Sequence, residues 1–358
     1  MKKILIICPY PAGLAPSQRF RFEQYLEQLY QAGFHTDVRP FFSHKNYRAF
    51  YQSRNLLSKI HAIIQSYWRR LALLFQARSA DFVFIHREAT PLGPPLIEWW
   101  IARILGRKII YDFDDAIWLT DNTHESRLER MLRWRSKVGS ICRWSFRVSS
   151  GNEYLASYAR AFNSSVIVNP TTVTSDYLHS STHSVRDNAD KIVIGWTGSR
   201  STLKYLDNLV PMLKMIEERY PSVEFLVVAD QNPSLPLKSF RYIPWAAETE
   251  IASLMNMDIG LMPIPDDEWA KGKCGLKALQ YMAIGIPALV SPVGVNRDII
   301  NHGKEGYWCS SPDEWYTYIV KLILNPQLRQ EMGQLGREKI AVRYSVEANT
   351  PTFLSLFT

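Results

Sequence analysis

The chain has few cysteines, no long apolar run and no low-complexity stretch, and each absence narrows what it can be. Cys8, Cys142, Cys274 and Cys309 lie far apart, with neither a CxxC pair nor metal-ligand spacing, which argues against a disulfide scaffold and a zinc site. Reduced thiols in a cytoplasmic protein are the expectation. No apolar run reaches the roughly 18 residues of a membrane span. The opening MKKILIICPY meets a proline after a short apolar run, so it reads as a first strand and not as a signal peptide. What remains is a globular composition, 46% hydrophobic and 21% charged, over 358 residues. That length suits two domains of about 150 to 180 residues.

Charge is divided unevenly. Residues 1–180 carry 24 Lys/Arg against 14 Asp/Glu, while residues 181–358 carry 18 against 20. The basic half should seek an anionic partner. No DNA- or RNA-binding module is recognisable, so no nucleic acid is expected, and an anionic membrane face or a lipid-diphosphate acceptor fits better.

Apolar runs and helical periods alternate along both halves, the pattern of parallel sheets. Strands are predicted at Lys3–Cys8, His35–Arg39, Asp81–His86, Ile109–Phe113, Ser145–Ser149 and Ser165–Val168 in the first half. The second half adds Lys191–Trp196, Val223–Ala229, Phe240–Ile243, Asp258–Met262 and a short run after Pro287. Helices are predicted at Ser17–Ala32, Tyr47–Ala77, Glu153–Ala161, Leu203–Tyr220, Glu248–Asn256, Asp313–Leu324 and Gln327–Val342. Residues 171–190 are mostly polar and without pattern, so they read as a linker between domains at 1–170 and 191–344.

Three features carry chemistry. The strand Ile109–Phe113 delivers Asp112, Asp114 and Asp115 to its carboxyl end, where open α/β sheets bind ligands. Carboxylates this close should raise one another's pKa unless a cation sits between them. Capping a helix, holding a metal and orienting a substrate all remain open for them. The second feature is Gly272–Pro292, GKCGLKALQYMAIGIPALVSP, read as a loop, a helix opening near Cys274 and a strand. Helical spacing would put Lys273, Lys277 and Gln280 on one polar edge, and the helix start with its glycines suits phosphate. The lysines could equally be solvated surface residues. The third feature is the apolar and aromatic density of Tyr47–Ala77, with Arg54, Arg69 and Arg70, joined by residues 127–147 with seven Lys/Arg and two Trp. A helix lying on lipid and a helix packed into a core both explain it.

GKCGLKALQYMAIGIPALVSPVGVN, together with YDFDDAIW and IGWTGS, resembles the family 4 (group 1) glycosyltransferases, and the resemblance extends over nearly the whole chain. It implies an α/β protein of GT-B fold, two Rossmann-like domains facing across a cleft, with residues 345–358 packing back toward the first. The family's Glu-x7-Glu pair falls on Gly272 and Gln280, so this chain resembles a variant branch lacking both glutamates; Asp266, Asp267 or Glu268 could substitute. By the same resemblance, Gly198, Ser199, Arg200, Lys204, Gly275, Leu276, Lys277 and Gln280 would meet a nucleotide diphosphate sugar, with Lys273 stabilising the leaving diphosphate. Gly13, in the first Pro/Gly loop, is a candidate for donor contact. Trp245 would face the base or else belong to the core. Arg19 and His86 are candidates on the acceptor side, with a Glu23 pair as the plain alternative for Arg19. The implied reaction is transfer with retained configuration and without a metal or cofactor. Its acceptor would be a saccharide or lipid-linked precursor of a bacterial cell-surface polysaccharide at the inner face of the cytoplasmic membrane. A nucleotide-sugar 2-epimerase, with His86 as its histidine, and a non-catalytic sugar-binding subunit are the rivals.

Overall fold

The computed structural model describes residues 1–120, 125–180 and 191–358, and its contacts divide the chain into two units. The first comprises Met1–Thr171, Gly272–Cys274 and Asn349–Thr358; the second comprises Thr172–Lys271 and Gly275–Ala348.

The first unit is built on β1 (Lys2–Cys8), β2 (Phe34–Pro40), β3 (Phe82–His86), β4 (Lys108–Phe113), β5 (Arg147–Ser150) and β6 (Val166–Val168). They form one parallel sheet in the order β2-β1-β3-β4-β5-β6. Ile4 to Cys8 and all of β3 are buried, which is why these strands read as unbroken apolar runs. The order reverses between β1 and β3, so the loops after these two strands diverge and leave room for a ligand. Phe353, near the carboxyl terminus, stacks on Tyr25 at 4.2 Å, and Arg147 donates to the Ser355 carbonyl.

The second unit repeats the plan with β7 (Ile192–Gly198), β8 (Val223–Ala229), β9 (Phe240–Pro244), β10 (Ile259–Met262), β11 (Ala288–Val290) and β12 (Gly306–Trp308). The parallel order is β12-β11-β10-β7-β8-β9, with its reversal between β7 and β10. Trp196, Leu213, Ile216, Phe225, Ile259, Leu289 and Ile319 lie in its core.

Four expected elements differ. The helix expected at Ser17–Ala32 is broken into Pro16–Arg19, a 3-10 turn at Glu23–Tyr25 and Leu26–Gln31. Phe20, Arg21 and Phe22 are all buried, and three successive residues on one helix point about 100° apart, so the chain must leave the helix to bury them together. The long helix at Tyr47–Ala77 is two, His44–Tyr51 and Leu56–Ala77, because Asn55 caps the second by accepting from the Leu57 N–H at 2.9 Å. The helix at Leu203–Tyr220 is likewise two, Arg200–Asp207 and Val210–Arg219, and Pro211 sits in the first turn of the second. Within the expected linker, Ser175–His179 is helical with Tyr177 buried, while residues 181–190 lie outside the described residues. The strand β12 was not foreseen, since three residues give no period to read.

Candidate active site

In the first unit, the carboxyl ends of β3, β4 and β5 gather around the three aspartates. Asp112, the first, is fully buried, with Arg21 Nη2 2.5 Å from one oxygen and His86 Nδ1 2.8 Å from the other. Ser149 adds a hydroxyl at 2.6 Å, and Arg21 also donates to the Asn169 carbonyl. Burial raises the Asp112 pKa, but the Arg21 charge and the His86 hydrogen bond overcome it and hold the carboxyl well below its usual range. An ionised carboxylate only accepts, so His86 Nδ1 carries the hydrogen. His86 Nε2 is buried with no hydrogen-bond partner among the described residues.

Arg87 follows directly and sits with φ of +61°, a left-handed conformation uncommon for a residue with a side chain. The Arg87 N–H donates to the Asp112 carbonyl at 2.7 Å, and the Arg87 carbonyl accepts from Tyr111 Oη at 2.8 Å. Held this way, its guanidinium spans Asp114 at 2.7 Å and Asp115 at 2.5 Å. The mutual repulsion expected of the aspartates is therefore relieved by Arg21 and Arg87, neither of which the sequence reading had singled out. For Asp114, burial pushes the pKa up, and the charges of Arg87, His86 and Arg21 bring it below the ordinary value. Lys273 Nζ stands 3.4 Å from Asp115 and makes this a cluster of two cations and two carboxylates.

Lys273 is not on the signature helix. That helix runs Leu276–Ala283, and Gly275 before it has φ of +70°, a left-handed turn that turns Lys273 and Cys274 off the helical path. The expected shared edge of Lys273, Lys277 and Gln280 does not form. Lys273 is grouped with the first unit, its carbonyl accepting from Asn152 Nδ2 at 3.0 Å. Lys277 lies 5.0 Å from the centre of the Trp196 ring. Gln280 is buried, donating to Tyr177 Oη at 2.8 Å; that hydroxyl donates to Glu250 at 2.7 Å, and Trp245 Nε1 donates to the same carboxylate at 2.8 Å. Gln280 and Trp245 are thus joined in one hydrogen-bonded chain through Tyr177.

Gly272 has its own reason to be glycine. A Cβ there would fall 2.7 Å from Ala116 Cβ and 2.8 Å from its backbone nitrogen. Restoring the family's glutamate as Gly272→Glu should overpack this contact and cost about 1–3 kcal/mol, read as a lower melting temperature without a gain in activity. The acids suggested as substitutes are partly engaged: Asp267 accepts from the Ala270 N–H at 2.7 Å, and Glu268 pairs with Lys271 at 2.6 Å.

The second unit presents a basic edge at its own point of strand reversal. After β7, Gly198 packs so closely on Trp196 that an added Cβ would lie 2.4 Å from the indole. Ser199 opens the next helix, the Arg200 N–H donates to Asp230 at 2.6 Å, and Lys204 lies 5.3 Å from the Tyr205 ring. Tyr281 ties the two sides together, accepting from the Thr197 N–H at 3.0 Å and donating to the Leu261 carbonyl at 3.2 Å. Arg200, Lys204 and Lys277 thus belong to the segments that follow β7 and β10, and Leu276 is the first residue of the helix carrying Lys277. Trp196 Nε1 is buried without a hydrogen-bond partner among the described residues.

In the first Pro/Gly loop Gly13 has φ of +78°, and its N–H donates to Glu23 at 2.9 Å. Glu23 also accepts from Gln18 at 3.0 Å, while the Arg19 guanidinium lies 5.1 Å from the Phe20 ring.

Comparison with known proteins bears on the fold and on part of the sequence. Residues 182–339 match the sequence profile of glycosyl transferases group 1. N-acetyl-alpha-D-glucosaminyl L-malate synthase of Bacillus anthracis is 23% identical over 168 residues, a stretch that is 44% of this chain and 43% of that protein. Sucrose-phosphate synthase from Thermosynechococcus elongatus superposes with a TM-score of 0.73 at 13% identity, over 100% of this chain and 98% of its own. Anabaena HepE, solved in complex with UDP and glucose, gives 0.68 at 13% identity over 99% of both chains. The full-length likeness shows the fold as GT-B, and the chain spans less than half the length of the curated relative it matches. The match to glycosyl transferases group 1 falls largely within the second unit, over less than half of the chain.

Proposed function

We propose that the chain transfers a glycosyl group from a nucleotide diphosphate sugar to an acceptor hydroxyl. The observation that carries this reading is the basic edge of the second unit, with Lys277 set against Trp196 beside the β7–β10 reversal, inside the segment matching group 1. Lys277, Lys204 and Arg200 would neutralise the donor diphosphate, and cations there lower the barrier to its departure because its charge grows as the sugar leaves. In the first unit, His86 Nε2 and the Asp114/Asp115 pair would orient the acceptor or the sugar, while Asp112, fully buried, positions His86 and Arg21. Configuration would be retained, with a departing phosphate oxygen taking the acceptor proton, and the glutamate-free motif would leave the sugar held by other groups. The acceptor would be a saccharide or lipid-linked precursor of a bacterial surface polysaccharide, met at the inner face of the cytoplasmic membrane.

Anabaena HepE binds UDP and glucose, so UDP-glucose leads the panel of donors to test. A specific donor should raise the melting temperature by mass action, and mixing it with acceptor should release UDP with a new glycosidic product. A product that is the 2-epimer of the donor sugar would indicate the epimerase instead, and no response to any nucleotide sugar would overturn the reading.

A further inference from the structure

The helix Leu56–Ala77 is amphipathic in an inverted sense. Its inward face carries Ala62, Ser66, Arg70, Leu73 and Ala77, mostly small residues, whereas Leu57, Ile60, Ile64, Trp68, Leu71 and Phe75 are exposed. Successive members of that outer set are three or four residues apart, and at 100° per residue they fall within an arc of about 80°. Trp68 is 68% exposed and Phe75 71%, values at odds with a core role. At 1.5 Å per residue the stripe from Leu57 to Phe75 runs about 27 Å along the 22-residue helix.

A second helix continues the surface. Arg127–Arg133 has no buried residue at all, and its Leu128, Met131 and Leu132 are exposed at helical spacing. The two are linked through one loop: Tyr67 Oη donates to the Leu92 carbonyl at 2.7 Å, and the Gly93 N–H donates to the Leu132 carbonyl at 2.7 Å. The next helical stretch after that loop exposes Leu96, Trp99 and Trp100. Apolar exposure on this scale marks an interaction site.

Charge decides the occupant. Arg54, Arg69 and Arg78 are exposed on or beside the first helix, and Arg127, Arg130 and Arg133 on the second. Not every basic residue of the sequence pattern takes part. Arg70 is buried, donating to the carbonyls of Cys8, Arg39 and Ala89, and burial lowers its pKa to about 10. Lys137 is buried on Glu88 at 2.7 Å. The exposed arginines would repel the same face of a second copy, whereas they match anionic headgroups while the aromatic and aliphatic stripe enters the acyl boundary. Among the described residues no helix is long and apolar enough to cross a membrane.

We infer that the first unit docks in the plane of an anionic bilayer through the Leu56–Ala77 and Arg127–Arg133 helices. The inference gives a surface to the membrane placement proposed above but does not need sugar transfer, so flotation and turnover can fail separately. The full chain is floated with vesicles of phosphatidylcholine alone or with phosphatidylglycerol, at low and high salt. Binding is expected only with phosphatidylglycerol and should weaken with salt. Trp68→Glu with Phe75→Glu should reduce bound protein about tenfold, and Arg127→Gln, Arg130→Gln and Arg133→Gln together should remove the salt-dependent part. These positions are exposed, so circular dichroism should stay unchanged, as should turnover of a soluble acceptor. Failure of the native chain to float, or equal flotation by the variants, overturns the inference. So does a native dimer in light scattering that Trp68→Glu with Phe75→Glu converts to monomer, which would give the surface to a second copy.

Discussion

Arg21→Met is expected to destabilise the protein by about 3–5 kcal/mol, because it removes one member of a buried ion pair and leaves the other charged. Asp112 would keep only His86 and Ser149, inside a site with no exposed side-chain surface. Arg21→Met combined with Asp112→Asn removes both charges and should recover part of the loss. The pair also fixes a pH dependence. Asp112 is held below its unfolded value of about 4, so its contribution is present above that pH and is lost as pH falls below it. In Arg21→Met the folded pKa rises, so acid unfolding should begin at a higher pH than in the native chain. Urea melts followed by circular dichroism across pH 3–7 would check both; equal stability of native chain and variant would mean the pair is not what holds β4 to the turn after the Pro16–Arg19 helix.

Lys277→Ala is expected to cut turnover on the order of 100-fold while leaving the fold intact. Its side chain packs over Trp196 and is not part of the buried core, so little packing is lost. The loss should appear mainly in kcat if Lys277 meets charge that develops as the diphosphate leaves, and in KM if it only holds the donor. Lys277→Arg keeps the charge over the indole and should restore part of the rate. Unchanged kinetics in Lys277→Ala would leave the lysine as a surface cation resting on an aromatic ring.

Sheet architecture was legible because parallel strands buried on both faces write themselves as apolar runs; eleven of the twelve appear in the sequence at nearly their observed bounds. The three aspartates were legible for a related reason, since they follow one such strand. Their partners were not. Arg21 meets Asp112 across 91 residues, and no local period records that pairing; the one available signal was an arginine lodged between Phe20 and Phe22 in apolar company. Tyr177 was hidden in a polar stretch, yet it ties Gln280 to Glu250. The signature helix was placed correctly in outline, but one left-handed glycine, Gly275, separated Lys273 from the residues with which helical spacing had grouped it.

The central claim is that the basic edge beside the β7–β10 reversal holds a diphosphate, and calorimetric titration of UDP into the native chain and into Lys204→Ala with Lys277→Ala tests it most directly. The account predicts saturable one-to-one binding by the native protein, weakened by about tenfold or more in the double variant, with heat that diminishes as salt is raised. Equal affinity in both proteins, or binding of uridine as tight as that of UDP, would contradict it.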